Sequence, residues 1–406
     1  MKTVNVDQYA DPNVLREFSP RMLVALLDED RPFLASKGVE LPTIAEIQAA
    51  NGEAVLDYAA LAPVFKTMED IPKGLVDRFH MVKAMSGPRQ MDLILATVQE
   101  RQLKFPLPLN HCSPEDIAAQ LLLTHPKLFQ ELHAQAAVTR YRRFAYFVPR
   151  LKKSKFVLPD KMTGLEKTLN SWYEAHHRDR SARVGCRRHG EEYLFYVRHG
   201  EPVKREGAVG LKDCESESQI FRPERHGLVI YHATSGELRV HADSERELDL
   251  FRLAFGLHLF GDGNYFPESS HKFTLNPLKR GRKSLAWAGI PGLRGVTLVE
   301  IEILAGSGHL VRDKTKAPDV FAEFEARKFQ IPEDAEIRLA RFAALFEGQT
   351  KARPFTLEPS NFATFAKDGD GARMEPWLVR QGFAMTHRDE FLAEGHSGNL
   401  FRLESE

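Results

Sequence analysis

The spacing of apolar residues changes part-way along this 406-residue chain, and that change limits the folds open to it more than any single motif does. Up to about residue 135 the apolar residues recur three and four apart, the period of a helix with one buried face. Beyond Glu191 they come in short runs, several alternating with polar residues as in a half-buried strand. A chain read this way is expected to be α+β, with a helical N-terminal domain followed by a strand-rich body.

Start and stop signals sharpen the helical part. Ser19-Pro20 sets a capping hydroxyl before a proline at the first helical position, and Met22, Leu23, Leu26 and Leu27 carry that helix on until Gly38 can end it. Thr43 with Glu46 makes a capping box, and Asn51-Gly52 supplies its stop. Leu75, Val76, Phe79 and Val82 form a further stripe, closed near Gly87-Pro88. Ser113-Pro114-Glu115-Asp116 combines a cap, a proline and two acids at the positive end of a helix dipole.

In the later part, Tyr193 to Arg198, Leu228 to His232, Leu238 to His241, Val296 to Ile303, Ile337 to Phe346 and Phe355 to Leu357 read as strands. Val299, Ile301 and Ile303 are expected on one strand face, with Glu300 and Glu302 on a solvated one. Thr163 with Glu166 is expected to cap a helix, and Ser244 with Glu247 a longer one ended by Gly261. Two more helices are expected near Val320 to Lys328 and Trp377 to Gln381. The expected domains are a helical domain over 1–137, a basic connector with one helix over 138–180, and an α+β domain over 181–406, divisible near 290.

Charge is balanced overall, with 56 basic and 56 acidic residues, but unevenly distributed. Thr139 to Arg205 holds 17 basic and 7 acidic residues, a local excess of +10. Arg140, Arg142, Arg143, Arg150, Lys152, Lys153 and Lys155 are interleaved here with Tyr141, Phe144, Tyr146 and Phe147. Arg187 and Arg188 follow, and Lys279, Arg280, Arg282 and Lys283 make a second cluster. Cations neutralise phosphates and aromatic rings stack on bases, so these residues are the candidate contacts to DNA or RNA. The leading expectation is an accessory or regulatory protein associated with nucleic acid. One alternative is a non-catalytic scaffold whose basic band meets an acidic protein partner.

Phe195-Tyr196-Val197-Arg198-His199-Gly200-Glu201 carries an apolar strand into Arg-His-Gly-Glu. Over these seven residues the chain resembles the signature of the histidine phosphatase superfamily. That resemblance implies a phosphoester hydrolase with His199 as the phosphorylated nucleophile and Arg198 as a phosphate clamp. Taken by themselves, the same residues also fit a β-turn through His199-Gly200-Glu201-Pro202, returning as a strand through Val203 and Ala208.

Weaker constellations point to no cofactor. His176, His177, Cys186 and His189 are nitrogen and sulfur ligands at a spacing that matches no common zinc finger, with arginines between them, so no metal is expected. Asp368-Gly369-Asp370-Gly371 lacks the remaining ligands of a calcium loop and reads as a turn. Gly306-Ser307-Gly308-His309 follows a strand without leading into a helix and also reads as a turn. The hairpin from Gly227 to His241 lacks the paired carboxylates of a magnesium nuclease. No apolar run approaches the ~20 residues of a membrane-spanning helix. The first residues lack the apolar core of a secretory signal, and Cys112, Cys186 and Cys214 are an odd, widely spaced set. Reduced thiols and a cytoplasmic location are therefore expected.

Overall fold

The computed structural model describes residues 6–50, 56–66, 71–138, 141–149, 155–209, 216–268, 271–305, 311–359, 361–366 and 369–385. Helices occupy the N-terminal part and a large antiparallel sheet the later part, an α+β arrangement. The chain divides into two compact units, Met1–Arg140 with Val203–Pro223 and Tyr141–Pro202 with Glu224–Glu406.

The first unit contains α1 (Pro12–Leu15), α2 (Pro20–Leu27), α3 (Arg31–Ser36), α4 (Ile44–Ala49), α5 (Tyr58–Leu61), α6 (Lys73–Met85), α7 (Pro88–Arg101), α8 (Pro114–Thr124) and α9 (Pro126–Val138). Ser19 and Ser113 cap α2 and α8, and the Thr43–Glu46 box opens α4. The single helix expected from Pro20 to Gly38 is broken in two, because Pro32 has no N–H to bond the carbonyl four residues back and its ring would clash there. A 3-10 turn at Asp28–Asp30 separates the pieces. Tyr9, Phe18, Phe65 and Phe79 meet at the centre of the core.

The second unit begins with β1 (Arg143–Phe147) and α10 (Thr163–Ala175), both within the stretch read as a basic connector. β2 (Arg183–His189) and β3 (Glu192–Gly200) follow. β4 (Lys204–Val209) and β5 (Ser216–Phe221) then form a two-stranded ribbon grouped with the first unit. The chain returns as β6 (Glu224–His232), β7 (Leu238–His241) and α11 (Glu245–Phe260). β8 (Leu293–Ala305), β9 (Val311–Lys316), α12 (Val320–Ala326), β10 (Glu336–Phe346), β11 (Arg353–Glu358), β12 (Phe362–Phe365) and α13 (Asp370–Gln381) complete it.

Ten of these strands make one antiparallel sheet, ordered β2-β3-β6-β7-β1-β12-β11-β10-β8-β9. Its first five strands share a core with α10 and α11, and β12, β11, β10 and β8 share another with α12 and α13. On β1 the residues alternate between the two cores: Ala145 and Phe147 join the first, Phe144 and Tyr146 the second. Successive strand residues point to opposite faces, so the two cores lie on opposite sides of the sheet.

Two local expectations are corrected here. Thr163 and Glu166 do not cap α10; the Glu166 carboxylate instead accepts the Val184 N–H at 2.9 Å, satisfying a donor on edge strand β2 that β3 does not take. On β8, register shifts by one residue between Glu300↔Arg341 and Leu298↔Phe342. That bulge gives Leu298 rather than Val299 the core position beside Ile301 and Ile303. Glu300 and Glu302 are not solvated: Lys314 at 2.7 Å and Arg341 at 3.0 Å cover Glu300, and Arg312 at 2.7 Å covers Glu302.

Gly227 shows how closely α11 approaches the sheet, since a Cβ there would lie 2.5 Å from Phe251 Cε2. Phe251 is fully buried and has nowhere to move. Gly227→Ala is expected to lower stability by about 1–3 kcal/mol through overpacking. Urea denaturation checks this, and an unchanged midpoint would mean that the helix can shift away at no cost.

Candidate functional site

Within the sequence-predicted basic band, Arg140, Arg150, Lys152 and Lys153 lie outside the described residues, as do Cys214, Asp368 and the Gly306–His309 segment. Arg143 is held by Glu358 through two bonds of 3.0 Å and lies 3.8 Å over the Phe362 ring. Arg142 donates to the Tyr141 carbonyl at 2.9 Å, and Lys155 is exposed.

The second cluster is turned toward the protein's own acceptors. Arg282 binds Asp319 at 2.7 Å and Glu325 at 3.1 Å, fastening the 3-10 segment Asn276–Leu285 to the start of α12. Lys279 donates to the Glu333 carbonyl and Arg280 to the Gln381 carbonyl, while Lys283 stays exposed. These cations serve folding first, because each bond to an acid or carbonyl already uses donors that a phosphate would need.

A different grouping appears at the β2 edge. The two-residue loop Gly190-Glu191, with Gly190 at φ 58°, sets the β2–β3 register. Arg183 then lies directly opposite Arg198, and Gly185 opposite Tyr196. Arg187 shares their face four residues along, roughly 13 Å away. Like charges directly opposed across a strand pair repel. Glu224, 3.7 Å from Arg198, offsets part of this, whereas Arg183 donates to the adjacent Ala182 carbonyl. Arg188 points to the other face, over the Tyr193 ring. No acid occurs within Arg183–His189.

The same alternation separates the two residues of the phosphatase-like signature. Arg198 is exposed, whereas His199 is 4% exposed on the opposite face, so they do not form the clamp and nucleophile that the resemblance implies. His199 stacks on Tyr173 of α10, with centroids 4.6 Å apart. Its Nε2 lies 3.4 Å from Glu247 of α11, and its Nδ1 lies 3.4 Å from Arg178 and 3.5 Å from the Gly200 carbonyl. Arg178 also grips Glu247 at 2.5 Å. Burial pulls the His199 ring below its ordinary pKa, with Glu247 pulling the other way. Burial pushes the Tyr173 phenol up, and Glu247 adds to that.

The sulfur and nitrogen ligands stay apart. His176 stacks on Trp172, His177 adopts a left-handed backbone, and Cys186 and His189 lie on β2. Among the described residues no group of three His, Cys, Asp or Glu side chains could hold a metal ion. Burial pushes the Cys186 thiol up to about 11, far from a reactive thiolate. Asp370 opens α13 and binds Arg353 at 2.5 Å, so that part of the acidic turn is engaged by a cation of the chain itself.

A second buried polar cluster lies at the β6–β7 turn. Glu237 is bound by Lys272 and, at 3.0 Å, by Arg239, which also reaches Glu192 at 2.9 Å. Burial raises the Glu237 carboxyl, but the two cations outweigh it and hold it below the ordinary carboxylate value. Arg178, Arg183, Glu247 and Lys272 carry these two clusters and the arginine edge, yet no local motif marks Arg178, Arg183 or Lys272, and the one that marks Glu247 is the Ser244 cap of α11. Of the other three, only Arg183 could have been found, by counting back from the Gly190 turn. No protein-family model matches this chain, and no curated protein matches it.

Proposed function

We propose that this protein binds nucleic acid through its phosphates, at the arginine edge of the sheet, as an accessory or regulatory protein. The observation that carries the reading is the direct opposition of Arg183 and Arg198 on the outermost strand pair. Opposed backbone positions put two arginines on one strand pair, so a phosphate docking there can be met by both, and its oxygen pair matches the donor fork of a guanidinium. Arg187 continues the row along an edge strand without acids. Such contacts position a nucleic acid without reading its sequence. The location we propose is cytoplasmic, where Cys112 and Cys186, both unpaired, would stay reduced.

The test compares wild type with an Arg183→Gln/Arg187→Gln/Arg198→Gln variant and with Arg282→Gln, a cation bound to Asp319 and Glu325 away from that edge. Binding to single- and double-stranded DNA and RNA is measured at several salt concentrations. The triple variant should bind all sequences more weakly. Its plot of log K against log salt should flatten by about 0.9 for each duplex phosphate no longer neutralised, and by about 0.7 on a single strand. Arg282→Gln should leave that slope unchanged. Equal binding by the triple variant and wild type would overturn the reading. So would no wild-type binding at low salt, which leaves an acidic protein surface as the partner of the same edge.

A further inference from the structure

We infer that His199 is a proton-operated latch on the turn between α10 and β2. In the neutral ring, Nε2–H points at Glu247 and Nδ1 faces a donor of Arg178, so one imidazole bridges the two members of an ion pair. Arg178 is the residue through which the turn is tied down, because its own N–H closes on the Tyr173 carbonyl at 2.8 Å. Three residues later Ser181 accepts the Gly200 N–H at 3.1 Å, and Ala182 donates to Asn170 at 2.8 Å. The segment from Arg178 to Ala182 therefore connects α10, the end of β3 and the start of β2.

A proton arriving at Nδ1 reverses that contact. An imidazolium has two donors and no acceptor, so Nδ1–H would turn to the Gly200 carbonyl at 3.5 Å, Arg178 would lose its acceptor on the ring, and the two cations would compete for Glu247. The other charged groups around the ring do not relieve this. Arg225 of β6 is directly opposite His199 and is engaged by Glu201 and Asp243. Asp243 favours the proton from a greater distance, Tyr173 offers a neutral ring face, and Asp179 is bonded to Ser181. Arg198, on the same strand, points to the other face. Arg178 is the partner that yields, since it is the more exposed of the pair that holds Glu247.

The direction of the pH effect follows from burial, which holds the folded ring's pKa below its unfolded value. Stability from the closed latch is present in full above the unfolded pKa and is lost as pH falls through the folded one. The latch is closed at neutral pH and opens in acid.

Hydrogen exchange of the Arg178 and Ala182 amides, corrected for the intrinsic pH dependence, tests this between pH 7.5 and 5, with α13 as the internal reference. In wild type, protection should fall by about tenfold for each pH unit below the titration, until the protonated turn is open. His199→Gln keeps a donor for Glu247 and an acceptor for Arg178 but cannot titrate, so its turn should hold constant protection. An equal pH response in the variant, or a flat wild-type profile, would overturn the inference. Nitrogen NMR of the wild-type ring gives a second check that does not depend on the variant folding. The Nε2–H tautomer is expected at pH 7.5, and finding Nδ1–H would defeat the latch as drawn.

Discussion

Glu237→Leu is expected to lower the unfolding free energy by about 3–5 kcal/mol, because it leaves Lys272 buried without its main counter-charge. The carboxylate also holds Arg239, so two cations lose their shared partner at once. Arg239 retains Glu192, but Lys272 is left with the largely exposed Glu375 at 3.4 Å. Adding Lys272→Met removes the stranded ammonium and should recover much of the loss, since an apolar pair of similar volume avoids the desolvation cost. Urea midpoints of the single and double variants decide the matter. A single variant within about 1 kcal/mol of wild type would show that water reaches Lys272 freely. Acid should act like the mutation: the depressed Glu237 pKa contributes stability above the ordinary carboxylate range, lost as pH falls through the folded value.

Trp377→Ala should cost about as much, roughly 3–5 kcal/mol, by a different route. The indole is fully buried on α13, stacked at 5.1 Å on Phe383 and edge-on to Phe342 at 5.9 Å and Phe355 at 6.1 Å. Its Nε1–H donates to the Ala286 carbonyl at 3.0 Å, which Gln381 also reaches at 2.7 Å, so truncation opens a cavity and removes one of that carbonyl's two donors. Trp377→Phe keeps most of the volume and should lose distinctly less. Equal losses for Ala and Phe would assign the effect to the hydrogen bond rather than to packing.

The sequence conveyed the fold class better than the site, and particular residues show why. Helix starts such as Ser19, Thr43, Ser113 and Ser244 were legible because capping is local: side chain and backbone N–H are three residues apart. β1 was not legible, because Phe144 to Phe147 is covered on both faces. A strand buried on both sides has no alternation to betray it. β2 escaped for the opposite reason, since an edge strand rich in arginine offers only Val184 and Cys186 as apolar signal. The basic band was visible as charge, but which cations fold back onto acids depends on contacts such as Arg143 with Glu358 or Arg282 with Asp319. The separation of Arg198 from His199 was implicit in strand alternation. The convergence of Arg178 and Glu247 on His199 was not, for they are 69 residues apart.

The position of β1 at the centre of the sheet also has a consequence in time. Its partner strand β12 and the Arg143–Glu358 bond belong to residues about 215 positions later. At a synthesis rate of ~5–20 residues per second, that separation is on the order of ten to forty seconds on the ribosome. Through this wait one side of Arg143–Phe147 presents an aromatic, hydrogen-bond-hungry edge beside other nascent chains. A charged residue at such an edge disfavours pairing with a stranger. Arg143 therefore has an occupation before the native sheet exists: it guards the vacancy that its own chain will fill last.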